Sequence, residues 1–529
     1  MVSFRTIFQF SLATAKSTSY GNPNIQWGNC NETEVSSTLP IQCGNLDVPL
    51  DYTEPTSNAK LTLQLAKVPA LSQPSKGSIL LNFGGPGETG RDSLGLLASL
   101  LQPLSGSHYD LIAFDPRGTG NTISFSCVNN ELDMATLVSE FVLGNSSDVA
   151  LGRLWARGAI DANLCFSMSN ETGGLIGTAF VARDLISVVD ALGEDGMLRY
   201  WGFSYGTTLG ATVASMFPER IDKMILDGVQ NPHQYYHSLA DFEEWTISDL
   251  VFSGIFSSCV AAPDNCSLAH ENKTAAELEQ AVWSLMERVK YHPIPFGNFL
   301  LDYSTLKSVI VQSMYSTSSW PTLASLLDAL LTGNTSAESA ILISLITSTA
   351  GSSEQTLQAT IGIHCGDRSV RASLFDDMLP TIDRLYNTSR IMGDVTPALS
   401  MICAQWKMDA KGRYEGDFQV KTKNPALLIG NTFDGFTPLA SAYNVSSGLE
   451  GSVVLEVNGY GHSSISLPSA CTLKNTAAYW LNGTLPKPGT VCQVDSPPYS
   501  NITWADVLAK ASGNTTRLNK RDTYALPMF

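Results

Sequence analysis

Two kinds of strand pattern follow each other along the chain, and their order predicts an architecture. Residues 39–52 and 60–70 alternate apolar with polar positions, Leu61, Leu63 and Leu65 being spaced by two. That is the period of a half-buried strand, so these segments predict an antiparallel start to a sheet. From residue 78 the strands become apolar almost throughout, at 78–83, 109–114, 198–201 and 221–227. Such runs suit strands buried on both faces. Between them, residues 93–104 read as a helix, and 177–192 place Val181, Leu185, Val188, Val189 and Leu192 on one helical face. Residues 207–214 read as a helix of small residues packed close. Strand and helix alternate from 78 to 228, which predicts a doubly wound, mainly parallel sheet of the α/β class.

From about 231 to 422 the strand pattern stops. Helical spacing recurs at 238–259, 274–291, 303–315, 321–331 and 354–363, and the run 340–346 reads as a further buried helix. Strands resume at 425–430 and 452–457. The expected organisation is a core over 16–230, a helical insertion over 231–422 that caps the site, the rest of the core over 423–510, and a polar tail over 511–529. The tail carries a dibasic Lys520-Arg521. Residues 121–175 are polar and are expected to form a surface excursion.

Composition narrows the setting. The 529 residues can bury a large core, and a net charge of −17 argues against nucleic acid or an anionic membrane as partner. Arg5, an apolar stretch over 6–12 and Ala13-Thr14-Ala15 predict a signal peptide over 1–15. No other run has the apolar length of a membrane span, so no membrane insertion is expected. Ten cysteines, an even number, predict disulfides in an exported chain. Pairing neighbours gives Cys30–Cys43, Cys127–Cys165, Cys259–Cys266, Cys365–Cys403 and Cys471–Cys492, although sequence alone does not determine connectivity. No C-x-x-C pair suggests zinc or redox chemistry. Sequons at Asn31, Asn145, Asn170, Asn265, Asn272, Asn334, Asn387, Asn444, Asn482, Asn501 and Asn514 fit a secreted glycoprotein.

The candidate chemistry sits at strand ends. Gly202-Phe203-Ser204-Tyr205-Gly206 fits G-x-S-x-G between a buried strand and a small-residue helix. A serine on such a turn stands clear of the sheet, and small residues on either side relieve the crowding. Gly84-Gly85-Pro86-Gly87 follows the strand at 78–83, where backbone N–H groups can face a ligand. A phosphate loop is the rival, but no Lys-Ser/Thr pair follows. Asp434 and His462 follow the two returning strands. Each alone reads as an ordinary loop residue. Together, in the order Ser204, Asp434, His462 and at the carboxyl ends of strands, they predict a catalytic triad. The expected reaction is acyl transfer, which calls for no cofactor or metal. Oxyanion donors are expected from the Tyr205 N–H and from one N–H of the Gly84–Gly85 segment.

These motifs resemble the tripeptidyl-aminopeptidase branch of the proline-iminopeptidase-type serine peptidases, which are α/β-hydrolases. The resemblance runs through Val48-Pro49-Leu50-Asp51-Tyr52, the glycine loop, Asp115-Pro116-Arg117-Gly118-Thr119-Gly120, Ala182-Arg183-Asp184-Leu185, the elbow and Asp227-Gly228. It continues through Cys365-Gly366-Asp367, Cys403-Ala404-Gln405-Trp406, Asp434 to Pro438 and Gly459-Tyr460-Gly461-His462. It implies an exported hydrolase that removes short peptides from free N-termini. Arg117 is expected to orient loops rather than do chemistry. One departure concerns the glycine loop, where relatives continue with a small residue and serine but Glu88 and Thr89 stand here. A carboxylate there is expected to bear on substrate choice. Recognition of a protonated amine calls for a carboxylate in a partly desolvated pocket, and Asp241, Glu243 and Glu244 lie among aromatics at the start of the cap. The rival for each acid is a solvated helix N-terminus. A peptide or a small ester is the expected substrate, with esterase or lactonase chemistry on the same fold as the alternative function.

Overall fold

The computed structural model describes residues 25–30, 35–128, 142–270, 272–296, 299–333 and 354–513. The leader, the run 340–346, the sequons at Asn31, Asn334 and Asn514, and the dibasic tail lie outside them. Ten strands form one sheet. They are β1 (Gly28–Asn29), β2 (Gln42–Pro49), β3 (Lys60–Val68), β4 (Ser78–Asn82), β5 (Asp110–Phe114), β6 (Leu198–Phe203) and β7 (Ile221–Asp227). After a separate two-stranded hairpin, β8 (Ile294–Phe296) and β9 (Phe299–Leu301), come β10 (Leu427–Phe433), β11 (Val453–Tyr460) and β12 (Val491–Gln493). The order across the sheet is β1-β2-β3-β5-β4-β6-β7-β10-β11-β12. Pairing is antiparallel as far as β3–β5 and parallel from β5 onward.

The burial patterns explain this division. In β2, Leu46 and Val48 face inward while Asn45 and Asp47 are exposed. Every residue of β4 and β6 is buried, because helices cover both faces of the parallel part. Tyr200 points to the face covered by helices Thr178–Leu192 and Tyr205–Met216. Trp201 points to the other, beneath Gly90–Leu104 and Ala470–Asn482. After β4 the chain moves outward to β5 and then returns to the opposite side of β4 with β6. The carboxyl ends of β4 and β6 therefore flank a topological switch point, where open α/β sheets bind ligands.

Between β7 and β10 lie helices Ser248–Ala261, Ala275–Tyr291, Tyr303–Ser313, Trp320–Thr332, Glu354–Asp367, Phe375–Thr388 and Pro397–Ala404. Four of them share an apolar core around Phe252, Val282, Ile310 and Leu327. One expectation needs correction. The stretch 238–259 is not one helix: Pro232–His237, a 3-10 turn at Glu243–Trp245 and Ser248–Ala261 replace it. The excursion at 121–175 contains the long helix Ala150–Ser169. Its buried stripe, Leu154, Gly158, Asp161, Ala162, Cys165 and Ser169, has helical spacing but holds only one large apolar residue, so hydrophobicity does not reveal it. All five expected disulfides are present. No helix among the described residues is long and apolar enough to cross a membrane.

Candidate active site

The elbow is shaped by what its glycines lack. Ser204 sits at φ 54° and ψ −127°, a backbone conformation that side chains other than glycine seldom take. A Cβ on Gly202 would lie 2.2 Å from the Gly206 carbonyl oxygen, and one on Gly206 would lie 2.6 Å from that of Asn82. Only glycine lets the strand, the turn and the helix approach so closely. The Ser204 N–H donates to the Asp227 carbonyl at 3.1 Å, holding the turn on β7. Tyr205 is the first residue of the following helix.

Across the switch point, Gly84 and Gly85 both have positive φ, 107° and 105°. A Cβ on Gly84 would come within 2.9 Å of Ser204 Cβ and of the Phe203 carbonyl. The glycine loop thus lies directly against Ser204. The Gly84 N–H, however, donates to Asn82 Oδ1 at 3.1 Å. Gly84 is therefore required for close approach, and the N–H left to face a ligand is that of Gly85. Thr360 Oγ1 donates to the Pro86 carbonyl, so helix Glu354–Asp367 of the insertion holds the loop.

Asp434 and His462 are brought together. His462 Nδ1 lies 3.1 Å from Asp434 Oδ1 and 3.0 Å from Oδ2, both side chains being buried. Asp434 Oδ1 also accepts from the backbone N–H groups of Phe436 and Thr437, the turn that Asp-Gly-Phe-Thr-Pro spells. Burial pushes the Asp434 carboxyl up, but the His462 side chain and these N–H groups outweigh it and hold it below the usual carboxylate range. The His462 N–H donates to the Tyr315 carbonyl at 2.8 Å, which ties the histidine loop to the cap. His462 Nε2 is buried and has no partner among the described residues. No hydrogen bond joins it to Ser204 Oγ here.

Several polar residues of the site lie beyond what the motif suggested. Thr437 Oγ1 lies 2.8 Å from Asp434 Oδ2 and 3.1 Å from His462 Nδ1. Asp227, at the end of β7, accepts from Ser464 N–H and Oγ at 2.7 and 2.6 Å, and burial pushes its carboxyl up to about 6. Arg117 behaves as a loop organiser. Fully buried, it makes two hydrogen bonds to Asp184, at 2.7 and 3.0 Å, and donates to the carbonyls of Pro49 and Leu50. The only local signal for these roles was the presence of Thr437, Asp227 and Arg117 in the motifs themselves.

The cap carboxyls diverge. Glu243 accepts from Ser441 Oγ at 2.7 Å and from Asn444 Nδ2, so it fastens the cap to helix Leu439–Gly448. Glu244, next to it on the 3-10 turn, is buried and accepts from Gln230 Nε2 at 2.6 Å. Burial, helped by the charge of Asp241, holds its carboxyl well above the usual range. Asp241 is itself paired with Arg368 at 2.5 Å, and despite burial that cation keeps its carboxyl below the usual range. Glu88 is buried just beyond the glycine loop. Burial, then the charges of Asp434, Glu244 and Glu88, pushes the phenol of Tyr315 far above its ordinary range.

Comparison with known proteins agrees with this arrangement. A family model described as "alpha/beta hydrolase fold" matches residues 77–285, and one described as "TAP-like protein" matches 389–492. Tripeptidyl aminopeptidase of Streptomyces lividans is 27% identical over 489 residues, covering 90% of this chain and 87% of that protein. Serine protease Hip1 of Mycobacterium tuberculosis H37Rv is 25% identical over 497 residues, covering 89% and 91%. Carboxylesterase B of M. tuberculosis CDC 1551 is 26% identical over 499 residues, covering 89% and 90%. With its mostly parallel sheet, its elbow and these relatives, the chain is a serine hydrolase of the α/β-hydrolase fold, similar to the TAP-like serine peptidases.

Proposed function

We propose that the protein is a secreted aminopeptidase that releases short peptides from free N-termini by acyl transfer through Ser204, His462 and Asp434. Ser204 Oγ attacks the scissile carbonyl, and His462 Nε2 takes its proton and returns it to the leaving amine. Asp434 fixes the imidazole with Nδ1 protonated and stabilises its charged form. The N–H groups of Tyr205 and Gly85 hold the oxyanion, and losing one such donor typically costs about 10²–10³ in kcat. The reading rests above all on the buried Asp434–His462 pair, whose Nε2 has no other partner, at strand ends beside the elbow serine.

Glu244 receives the substrate amine. It is a buried cap carboxyl whose described hydrogen bond comes from a neutral amide, so an ammonium would add the charge it lacks. Export is supported by the five disulfides and by the exposure of all eight described sequon asparagines: 145, 170, 265, 272, 387, 444, 482 and 501. Ester hydrolysis is the second reading, favoured by the carboxylesterase relative.

The tests are direct. Ser204→Ala is expected to lower kcat by roughly a millionfold and to abolish fluorophosphonate labelling, with an unchanged circular dichroism spectrum. Wild-type turnover by that variant would refute the mechanism. Glu244→Gln should raise KM for free-amine tripeptide amides while sparing an uncharged ester, and Glu243→Gln should do neither. A wild-type enzyme indifferent to N-terminal acetylation would favour the ester reading.

A further inference from the structure

Glu88 is out of keeping with its surroundings. It is 8% exposed, and its Oε1 is buried with no hydrogen-bond partner among the described residues. A buried acceptor without a donor is costly, and native structures rarely keep one without a use. The loop does not need this carboxyl to hold its shape. Asn82 Oδ1 binds the Gly84 N–H, Thr360 binds the Pro86 carbonyl, and Gly87 packs so closely on Thr356 that a Cβ would lie 2.7 Å from its carbonyl. The charge that acts on it is also of the wrong sign. Burial, then the carboxylate of Asp92, pushes Glu88 up to about 7. Asp92 itself accepts from Thr89 Oγ1 at 2.9 Å.

We propose that Glu88 is a cation-selecting residue of the substrate cleft, its carboxylate taking a protonated amine of the substrate, either the N-terminal amine or a lysine side chain. The residue directly follows the loop that lies against Ser204 at Gly84 and against helix Glu354–Asp367 at Gly87. A substrate ammonium placed there supplies the missing donor and the missing charge together, which strengthens the bond. Glu88 is thus a second amine-reading carboxyl, on the core side of the cleft, where Glu244 stands on the cap side. This inference rests on the serine-hydrolase reading of the site but not on peptide cleavage.

The experiment uses the full-length enzyme as wild type, Glu88→Gln and Glu88→Asp, with Glu244→Gln in parallel. Substrates are the methyl esters of alanine, Nα-acetyl-lysine and Nα-acetyl-alanine, together with a free and an acetylated tripeptide amide. Glu88→Gln is expected to lower kcat/KM roughly 10- to 100-fold, through KM, on whichever ester carries the preferred amine. The neutral ester should stay within about twofold, and Glu88→Asp should retain part of the preference. Loss on the alanine ester identifies the N-terminal amine, and loss on the acetyl-lysine ester identifies the side chain. Equal loss on charged and neutral esters, or none on either, overturns the proposal. If the tripeptide amides are not cleaved at all, peptide release is refuted while the ester series still decides the role of Glu88.

Discussion

Thr437 shows how much of this site depends on one hydroxyl. Its Oγ1 donates to Asp434 Oδ2 and lies 3.1 Å from His462 Nδ1, so its lone pair shares the imidazole proton with the carboxylate. Both contacts fall on Nδ1 and favour one tautomer of the ring. Thr437→Val keeps the shape and removes the oxygen. Asp434 Oδ2 still accepts from the Ser463 N–H at 3.1 Å, so the fold should tolerate the change with a loss of about 1 kcal/mol. Turnover should fall about tenfold in kcat with KM unchanged, read by steady-state kinetics on one ester. A larger KM effect would mean that Thr437 touches substrate instead. At this scale the sequence was legible where a residue's role follows from local chain geometry. Ser204, Asp434 and His462 each stand just past a strand, and short motifs mark them. Thr437, Asp227 and the division of labour between Glu243 and Glu244 depend on which distant group each side chain meets. Gly84 was legible as a glycine but not as one whose N–H is already taken.

Among elements, the most densely bonded of the contacts that join cap to core is the carboxylate of Asp367, at the end of helix Glu354–Asp367. It accepts from the Thr178 N–H at 3.0 Å, from Thr178 Oγ1 at 2.5 Å and from Tyr235 OH at 3.1 Å. Thr178 opens helix Thr178–Leu192, so the acid also caps the positive end of that helix dipole. Thr178 Oγ1 lies 2.5 Å from Tyr205 OH, which carries the link to the residue after the proposed nucleophile. Asp367→Ala would leave three buried donors without an acceptor. We expect a loss of about 3 kcal/mol or more in urea unfolding, and reduced kcat in the folded fraction. Asp367→Asn keeps one acceptor oxygen and should lose less. Equal stability of the alanine variant and the wild type would show that the link carries no load. Helix positions were readable where an apolar stripe repeats, as in Thr178–Leu192. They were not readable where the buried stripe holds only one large apolar residue, as in Ala150–Ser169, or where an element is three residues long, as in β12.

For the whole molecule, the buried acids predict an acid-shifted stability. Burial pushes Asp227 and Asp367 up to about 6 and Glu88 up to about 7. In the unfolded chain such groups lose their protons near pH 4. Between pH 4 and 7 the folded state therefore holds protons that the unfolded state has released, and stability falls as pH rises through that window. A pKa that differs by one between the folded and unfolded chain corresponds to about 1.4 kcal/mol. The three acids, raised by about 2 to 2.5 each, therefore reach roughly 9 kcal/mol together at most, before relaxation of the structure reduces it. Asp434 and Asp241 are held below the usual range, and their contribution has the opposite sign. It is complete above the unfolded pKa and is lost only as pH falls below about 4. The net charge of −17 at pH 7 adds self-repulsion in the same direction as the raised acids. Thermal denaturation midpoints should thus peak near pH 4 to 5 and decline steadily to pH 8. Asp227→Asn and Glu88→Gln should flatten that decline, because each removes one proton from the difference between the two states. A midpoint that rises from pH 5 to 8, or a slope that neither substitution changes, would mean that these carboxyls ionise at their ordinary pKa in the folded protein, paired with donors that burial alone does not reveal.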